Sequence, residues 1–376
     1  MRLVLASDAF ALNGASYGGF PLILDDRMRL LEVAHDFLVH VCLHSGRVRS
    51  KKTWKRYGRD LYDFFGFVIA NDLDWKQGEI IGTLHPAESY RDWALKECSL
   101  SRRTVNARLR TVLRLYRWAF SRGIVDRFPF DEVLVRVPYL GGMLAHTSGS
   151  GGVRVSSHLL MREPVEPLRI LTLDQCKTCL AALSNVTHRL MFRLGLQTGL
   201  RSEEIRSFPA KYAFDPMRRA ELCGKAKYRM RLSPADMCLK GSKVRSIDVP
   251  VPLLADLWTY VVMERPRRAR AGAADCTALF LTARGTAYSE KAIEKVFQRL
   301  QRRVGFIVSP HILRHVYATY TLQGLRERGF KADSLLYVRD RLGHASITTT
   351  QIYLQMLEKL DVDLMMLHEQ ELSELL

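Results

Sequence analysis

The chain has 376 residues, 47% of them hydrophobic, enough for two packed domains. Its formal charge of +18 points to a polyanionic partner, nucleic acid first. No apolar run approaches the roughly 20 residues that cross a bilayer, the N-terminal apolar stretch is short and interrupted by Asp8, which makes it a poor signal peptide, and seven scattered cysteines speak against a disulfide framework.

Residues 1–26 are weakly patterned. Asn13, Gly14, Ser16, Gly18 and Gly19 predict a loop-like N-terminal extension. A helical region is expected over 27–135. Leu30, Leu31, Ala34, Phe37, Leu38 and Val41 repeat at helix spacing, as do Trp54, Tyr57, Leu61, Phe64, Phe65 and Val68. Ser50-Lys51-Lys52 opens the second of these with a basic cluster. A shorter helix is predicted from Glu88 to Lys96. The clearest follows: Ser101 caps it, Val105, Leu109, Val112, Leu113, Tyr116 and Phe120 form its stripe, and Gly123 ends it. Its other faces carry Arg102, Arg103, Arg108, Arg110, Arg114 and Arg117 with no acid among them. Unpaired, these arginines would be a backbone-phosphate contact, and Lys51 and Lys52 a second one.

Glycines, serines and prolines make 136–168 a linker. Thr172 and Gln175 then form a capping box for a helix from Leu173 to Leu183, which makes Cys176-x-x-Cys179 part of a helix start rather than a metal site. Another helix runs from Thr187 to Gln197 and stops at Gly199. Arg201 follows; within its own stretch it reads as a surface charge paired with Glu203 or Glu204. Lys225, Lys227, Arg229 and Arg231 lie in a basic stretch read as irregular, and 237–250 reads as a hairpin turning at Gly241-Ser242, with Lys240 at the turn and Lys243 beside it. A helix from Pro252 to Met263, a basic loop at 265–270 that is either DNA-facing or merely exposed, a short strand Leu279-Phe280-Leu281 and a helix from Ser289 to Arg303 complete this part. After Asp361 an acidic, amphipathic tail helix is expected, packed on its own core or on a neighbour.

The stretch between His311 and Tyr353 carries the chemistry. His311-Ile312-Leu313-Arg314-His315, Leu342-Gly343-His344 and Tyr353 supply an arginine, three imidazoles and a phenol. A guanidinium grips phosphate with parallel donors at any working pH. An imidazole moves protons near neutrality. A phenol can attack and form a covalent intermediate, given a positive field or a proton acceptor. The set suggests attack on a phosphodiester.

Thr198-Gly199-Leu200-Arg201, Lys240-Gly241-Ser242-Lys243, His311-x-x-Arg314-His315, Leu342-Gly343-His344 and Tyr353, in this order, resemble the tyrosine recombinase (phage integrase) family. The resemblance is strong over about 170–355 and looser over 27–135. It implies a mainly α protein: a helical core-binding domain (27–135) and a mostly helical catalytic domain with a small antiparallel sheet (169–360), followed by the 361–376 tail. It implies that Tyr353 attacks DNA to give a 3′-phosphotyrosine, that Arg201 and Arg314 hold the non-bridging oxygens, and that Lys240 protonates the leaving 5′ oxygen. His311 would assist the phenol and His344 would hydrogen-bond the phosphate, with His315 in support. The expected partner is double-stranded DNA, on which four protomers would synapse two sites; off DNA the chain would be a monomer or dimer. No cofactor, metal or membrane is expected; the location would be the bacterial cytoplasm, at the nucleoid, and the setting a mobile element. Two alternatives are a type IB-like topoisomerase or telomere resolvase, and an architectural DNA-binding protein with a dead site. Pro209 and the long segment to Lys227 depart from the family's pattern.

Overall fold

The computed structural model describes residues 1–12, 14–44, 50–76, 84–136, 153–164, 168–272, 276–330, 333–343, 350 and 353. Contacts divide the chain into two units, Met1–Val165 and Glu166–Leu376.

The first unit opens with strands, not a loop. β1 (Arg2–Leu5) pairs antiparallel with β4 (Pro21–Leu24), Arg2 opposite Leu24, and β2 (Ala11–Leu12) with β3 (Ala15–Ser16). The pairing is driven by burial: Phe20 and Ile23 enter the core beneath the helices. α1 (Glu32–Leu38) is short and runs into a wide helical turn, Val39–His44. α2 (Lys51–Ala70), α3 (Pro86–Lys96) and α4 (Arg102–Ser121) follow. Gly58 explains how β4 reaches α2. A Cβ there would lie 2.4 Å from that of Pro21, closer than two carbons can come. Ser101 caps α4 by accepting from Thr104 N at 3.2 Å, as expected. Phe64 meets Tyr90 and Tyr116 edge-on, with centroids 5.5 and 6.3 Å away. Each such ring contributes about 1.5–3 kcal/mol by leaving water.

Part of the expected linker belongs to this unit. β5 (Glu132–Arg136) pairs antiparallel with β6 (Val153–Ser157). Leu159 is buried, and the Asn106 side chain on α4 holds Met161 as a strand would, donating to its carbonyl at 2.8 Å and accepting from its N–H at 3.0 Å. The glycine-rich residues 137–152 lie outside the described part of the chain.

The second unit is helical around one two-stranded sheet. α5 (Leu173–Ala182) has the predicted capping box, Gln175 N to Thr172 Oγ1 at 3.2 Å and Thr172 N to Gln175 Oε1 at 3.0 Å. Cys176 and Cys179 are buried on it, and among the described residues no group of three or more His, Cys, Asp or Glu could hold a metal. α6 (Val186–Thr198) ends at Gly199 and α7 (Ser202–Arg206) is brief. β7 (Lys227–Leu232) and β8 (Arg245–Pro250) pair antiparallel, Lys227 opposite Pro250. The basic stretch expected to be irregular is therefore β7, and the hairpin's connection is longer than a Gly-Ser turn. Tyr228, Met230 and Leu232 alternate inward while Lys227, Arg229 and Arg231 are exposed. α8 (Val251–Met263) and α9 (Arg265–Ala269) follow. The expected loop at 265–270 is thus helical, and Arg265 donates to the Ala278 carbonyl at 3.0 Å, so it is tied to the chain itself. Residues 278–281 form isolated bridges, Pro209 to Ala278 and Leu281 to Ala287, in place of the expected strand. α10 (Glu290–Val304), α11 (Pro310–Glu327) and α12 (Ser334–Leu342) complete the unit. Among the described residues no helix is long and apolar enough to cross a membrane. The tail at 361–376 lies outside the described residues.

Candidate active site

Three local devices place the site. α6 stops at Gly199, whose φ of +66° turns the chain and presents its carbonyl. That turn tolerates no side chain: a Cβ on Gly199 would sit 2.5 Å from Tyr317 Cδ1. α12 stops at Gly343, φ +64°, where a Cβ would lie 2.8 Å from Arg245 Cδ. α11 starts at Ser309, whose hydroxyl accepts from Ile312 N at 3.2 Å, with Pro310 in its first turn. Residues 311, 314 and 315 then share one helix face.

Arg314 is 2% exposed, the largest fully buried side chain described. It donates to the Gly199 carbonyl at 2.7 Å and to the Leu342 carbonyl at 2.6 Å, joining the ends of α6 and α12. Burial and then the neighbouring Arg201 push its pKa down to about 9, which leaves it charged at neutral pH. Arg201 donates to Glu204 at 3.2 Å and to the Gly343 carbonyl at 3.5 Å. Glu204 is not the surface partner that the local sequence suggests. It is buried, and Arg245 grips both its oxygens, at 2.6 and 2.7 Å. One carboxylate thus serves two guanidiniums, and burial, which raises its pKa, is outweighed by their hydrogen bonds and charge.

Arg201, Lys240, Lys243, Arg245 and Gly343 line a cleft of about 770 Å³. Lys240 and Lys243 are both exposed, at a turn where Gly241 has φ +74°. α12 adds Arg339 and Arg341 to the rim, residues that sequence reasoning did not single out. Arg341 is anchored on buried Asp248 of β8 at 2.6 Å, and Tyr337 donates to the same carboxylate at 2.5 Å. This cluster holds the end of α12 against the sheet.

Tyr353 is 2% exposed. Burial raises its pKa, while Arg314 and Arg201 draw it down. Its hydroxyl lies 3.0 Å from His315 Nδ1. His311 packs edge-on against His315 with ring centroids 4.3 Å apart. Burial, Arg314, Arg201 and Lys240 lower the pKa of His311. Burial, His311 and Arg314 lower that of His315 to about 4. The structure therefore brings Arg201, Lys240, His311, Arg314 and Tyr353 into one neighbourhood; His344 lies outside the described residues.

In the first unit, the expectation of unpaired arginines on α4 is corrected. Arg108 pairs with Asp63 of α2, and Arg110 with Glu163 at 2.8 Å, with Arg103 at 3.7 Å from the same carboxylate. Arg114 reaches the Tyr57 hydroxyl and Arg117 lies over the Phe128 ring, 5.5 Å from its centroid. The acids come from 45 or more residues away in sequence. Arg102, Arg103, Arg110, Arg114 and Arg117 all stay exposed, as do Lys51 and Lys52 at the start of α2.

Residues 169–359 match the model of the phage integrase family. The chain belongs to that family. Among its relatives, tyrosine recombinase XerD of Mycobacterium tuberculosis (strain H37Rv) is 41% identical over 116 residues, 30% of this chain and 35% of that protein. The match thus spans about a third of that relative's length. Tyrosine recombinase XerC of Chlorobaculum tepidum is 25% identical over 336 residues, 85% of this chain and 88% of its own. Two solved structures share the integrase fold. The Tn1549 transposon integrase in complex with a circular intermediate DNA has a TM-score of 0.55 at 18% identity, covering 85% of this chain and 94% of that one. The XerH site-specific recombinase bound to palindromic difH substrate has 0.54 at 17%, covering 83% and 80%.

Proposed function

We propose that this chain is a site-specific DNA recombinase that cuts and rejoins strands through a 3′-phosphotyrosine on Tyr353. What carries the reading is Tyr353 within the electrostatic reach of two guanidiniums, Arg201 and Arg314, the first of which lines a basic cleft. The phenol oxygen attacks phosphorus and the bond to the 5′ oxygen breaks. Arg201 and Arg314 hold the non-bridging oxygens, where charge builds in the transition state. Lys240, exposed at its turn, gives the 5′ oxygen its proton, and His311 and His344 complete the phosphate's surroundings. The bond energy stays in the phosphotyrosine, so rejoining reverses the steps. Double-stranded DNA is the partner. The Tn1549 integrase and XerH were solved on DNA, which supports that choice. The first unit offers Lys51, Lys52, Arg102, Arg103, Arg110, Arg114 and Arg117 to backbone phosphates, and the second offers Lys243. Assembly of four protomers on two sites, and action on a mobile element, belong to the same proposal.

The test starts from a pool of duplexes randomised in sequence. Wild-type protein forms adducts that survive denaturation, and digestion maps the DNA to Tyr353. Tyr353→Phe forms none; an adduct of equal yield in that variant sinks the reading. Lys240→Ala cleaves selected DNA slower by about 10²–10⁴-fold, the usual loss for a general acid. It recovers on DNA whose bridging 5′ oxygen is sulfur, a leaving group that needs no proton. Recovery of Lys243→Ala instead would move the acid three residues along the turn.

A further inference from the structure

Resting on that reading, we propose that His315 is the proton partner of Tyr353: its Nδ1 holds the phenol and takes its proton as the oxygen attacks phosphorus. Three observations carry this. The Tyr353 hydroxyl lies 3.0 Å from His315 Nδ1, a hydrogen bond between a buried phenol and a half-buried imidazole. The two rings approach at 5.7 Å and 52°, so the imidazole nitrogen rather than its face meets the oxygen. His311 sits one helical turn before His315 and packs its ring against it at 4.3 Å, which fixes the imidazole in place.

The electrostatics give the pair a direction. Burial, His311 and Arg314 keep the imidazole neutral at pH 7. A neutral ring whose Nδ1 accepts from the phenol carries its own proton on Nε2. A phosphodiester arriving at Arg201 and Arg314 cancels part of the positive field that discourages a second proton on the ring. The substrate thus strengthens the base that it needs. In the step, the phenol O–H breaks, the O–P bond forms, and the proton moves to Nδ1, giving an imidazolium. The bond from phosphorus to the 5′ oxygen breaks and that oxygen takes a proton from Lys240. On rejoining, the 5′ hydroxyl gives its proton back to Lys240 and attacks phosphorus, the bond from phosphorus to the Tyr353 oxygen breaks, and the imidazolium returns its proton to that oxygen.

The experiment uses the full chain and duplexes recovered from the randomised pool. His315→Asn places an acceptor near the Nδ1 position but cannot take up a proton. Its adduct formation is expected to fall by about 10²–10⁴-fold, as for loss of a general base. The distinguishing measurement replaces Tyr353 by 3,5-difluorotyrosine, whose phenol is more acidic and needs a base less. The gap between wild type and His315→Asn then shrinks by about tenfold or more, equivalent to about 1.4 kcal/mol of barrier. A merely structural role leaves that gap unchanged. Circular dichroism establishes that the variant is folded, and His315→Gln provides a second acceptor geometry should Asn disturb α11. Adduct formation by His315→Asn at the wild-type rate overturns the proposal, as does a gap that the acidic phenol does not close. A gap that closes for His311→Asn and not for His315→Asn assigns the proton to His311. If the wild-type chain forms no adduct with any duplex, strand cleavage itself fails, and this proposal with it.

Discussion

The arginines of α4 and those around Gly199 and Gly343 are held by different means. On α4 the guanidiniums are exposed, or half-buried in the case of Arg108, and lean on carboxylates or aromatic rings: Arg108 on Asp63, Arg110 and Arg103 on Glu163, Arg117 over Phe128. Arg314 is buried and held by two carbonyls, whose lone pairs fix its direction without cancelling its charge. Arg201 shares a single carboxylate with Arg245. One kind of basic residue is suited to a diffuse, exchangeable contact with a polyanion. The other is a fixed field aimed at one atom. The difference lies in the partners, which come from distant parts of the sequence.

The sharpest way to break the contrast is Glu204→Gln. Removing a buried charge that two guanidiniums share leaves Arg245 uncompensated and costs about 3–5 kcal/mol of stability, read in urea or thermal melts. The pH dependence follows from the same carboxyl. Its pKa in the folded chain is lowered from 4.5. Its contribution is therefore fully present above that value and is lost as pH falls through the lower folded one. Wild type loses stability over that acid range, and the variant loses less. Equal slopes would mean that Glu204 is not ionised in the fold.

Arg314→Ala comes next. Loss of one transition-state donor lowers the adduct rate by about 10²–10³-fold. The sulfur-bridged DNA that rescues Lys240→Ala does not rescue it, because the charge on the non-bridging oxygens remains. Rescue would place Arg314 at the leaving group.

The smallest effect is expected on α4. Glu163→Gln releases Arg103 and Arg110, so binding to non-specific duplex tightens slightly and its salt dependence steepens, by about 0.9 in log–log slope for each phosphate newly neutralised. Stability changes by no more than about 1 kcal/mol, as for an exposed pair. Reversing Arg110, Arg114 and Arg117 to Glu acts in the opposite sense. An unchanged salt slope in both variants would show that this face points away from DNA.

Much of the second unit was legible because its signals are local. Thr172 with Gln175, Ser289 before α10, and Gly199 after α6 each act within a turn of their own helix. Ser101 did the same for α4. Misreadings arose where the deciding contact is distant. β7 looked irregular because lysine and arginine occupy its outer face, while its inner face depends on Ile247 and Val249 of β8. Residues 1–26 looked like loop because β1 is specified by β4 and by Gly58 on α2. Of the site, the family motifs marked Arg201, Lys240, His311, Arg314, His344 and Tyr353. They gave no sign that His315 faces the phenol, since 38 residues separate the pair.

The carbonyl cradle of Arg314 stores unfavourable energy in the fold. A cation removed from water, whose partners are dipoles and whose neighbour is another guanidinium, weakens the fold that contains it. An anion seated against Arg201 in the cleft relieves that repulsion, and whatever binds the folded chain alone stabilises it, by about 2.7 kcal/mol at a hundred times its dissociation constant. Phosphate or sulfate in a buffer would therefore act on this protein as a ligand and not as background salt. Melting temperature would climb with either oxyanion beyond its rise in chloride of equal ionic strength, and an Arg314→Ala chain would lose much of that dependence. Folding and substrate capture share one charge, so a chain optimised for stability alone would be expected to discard it.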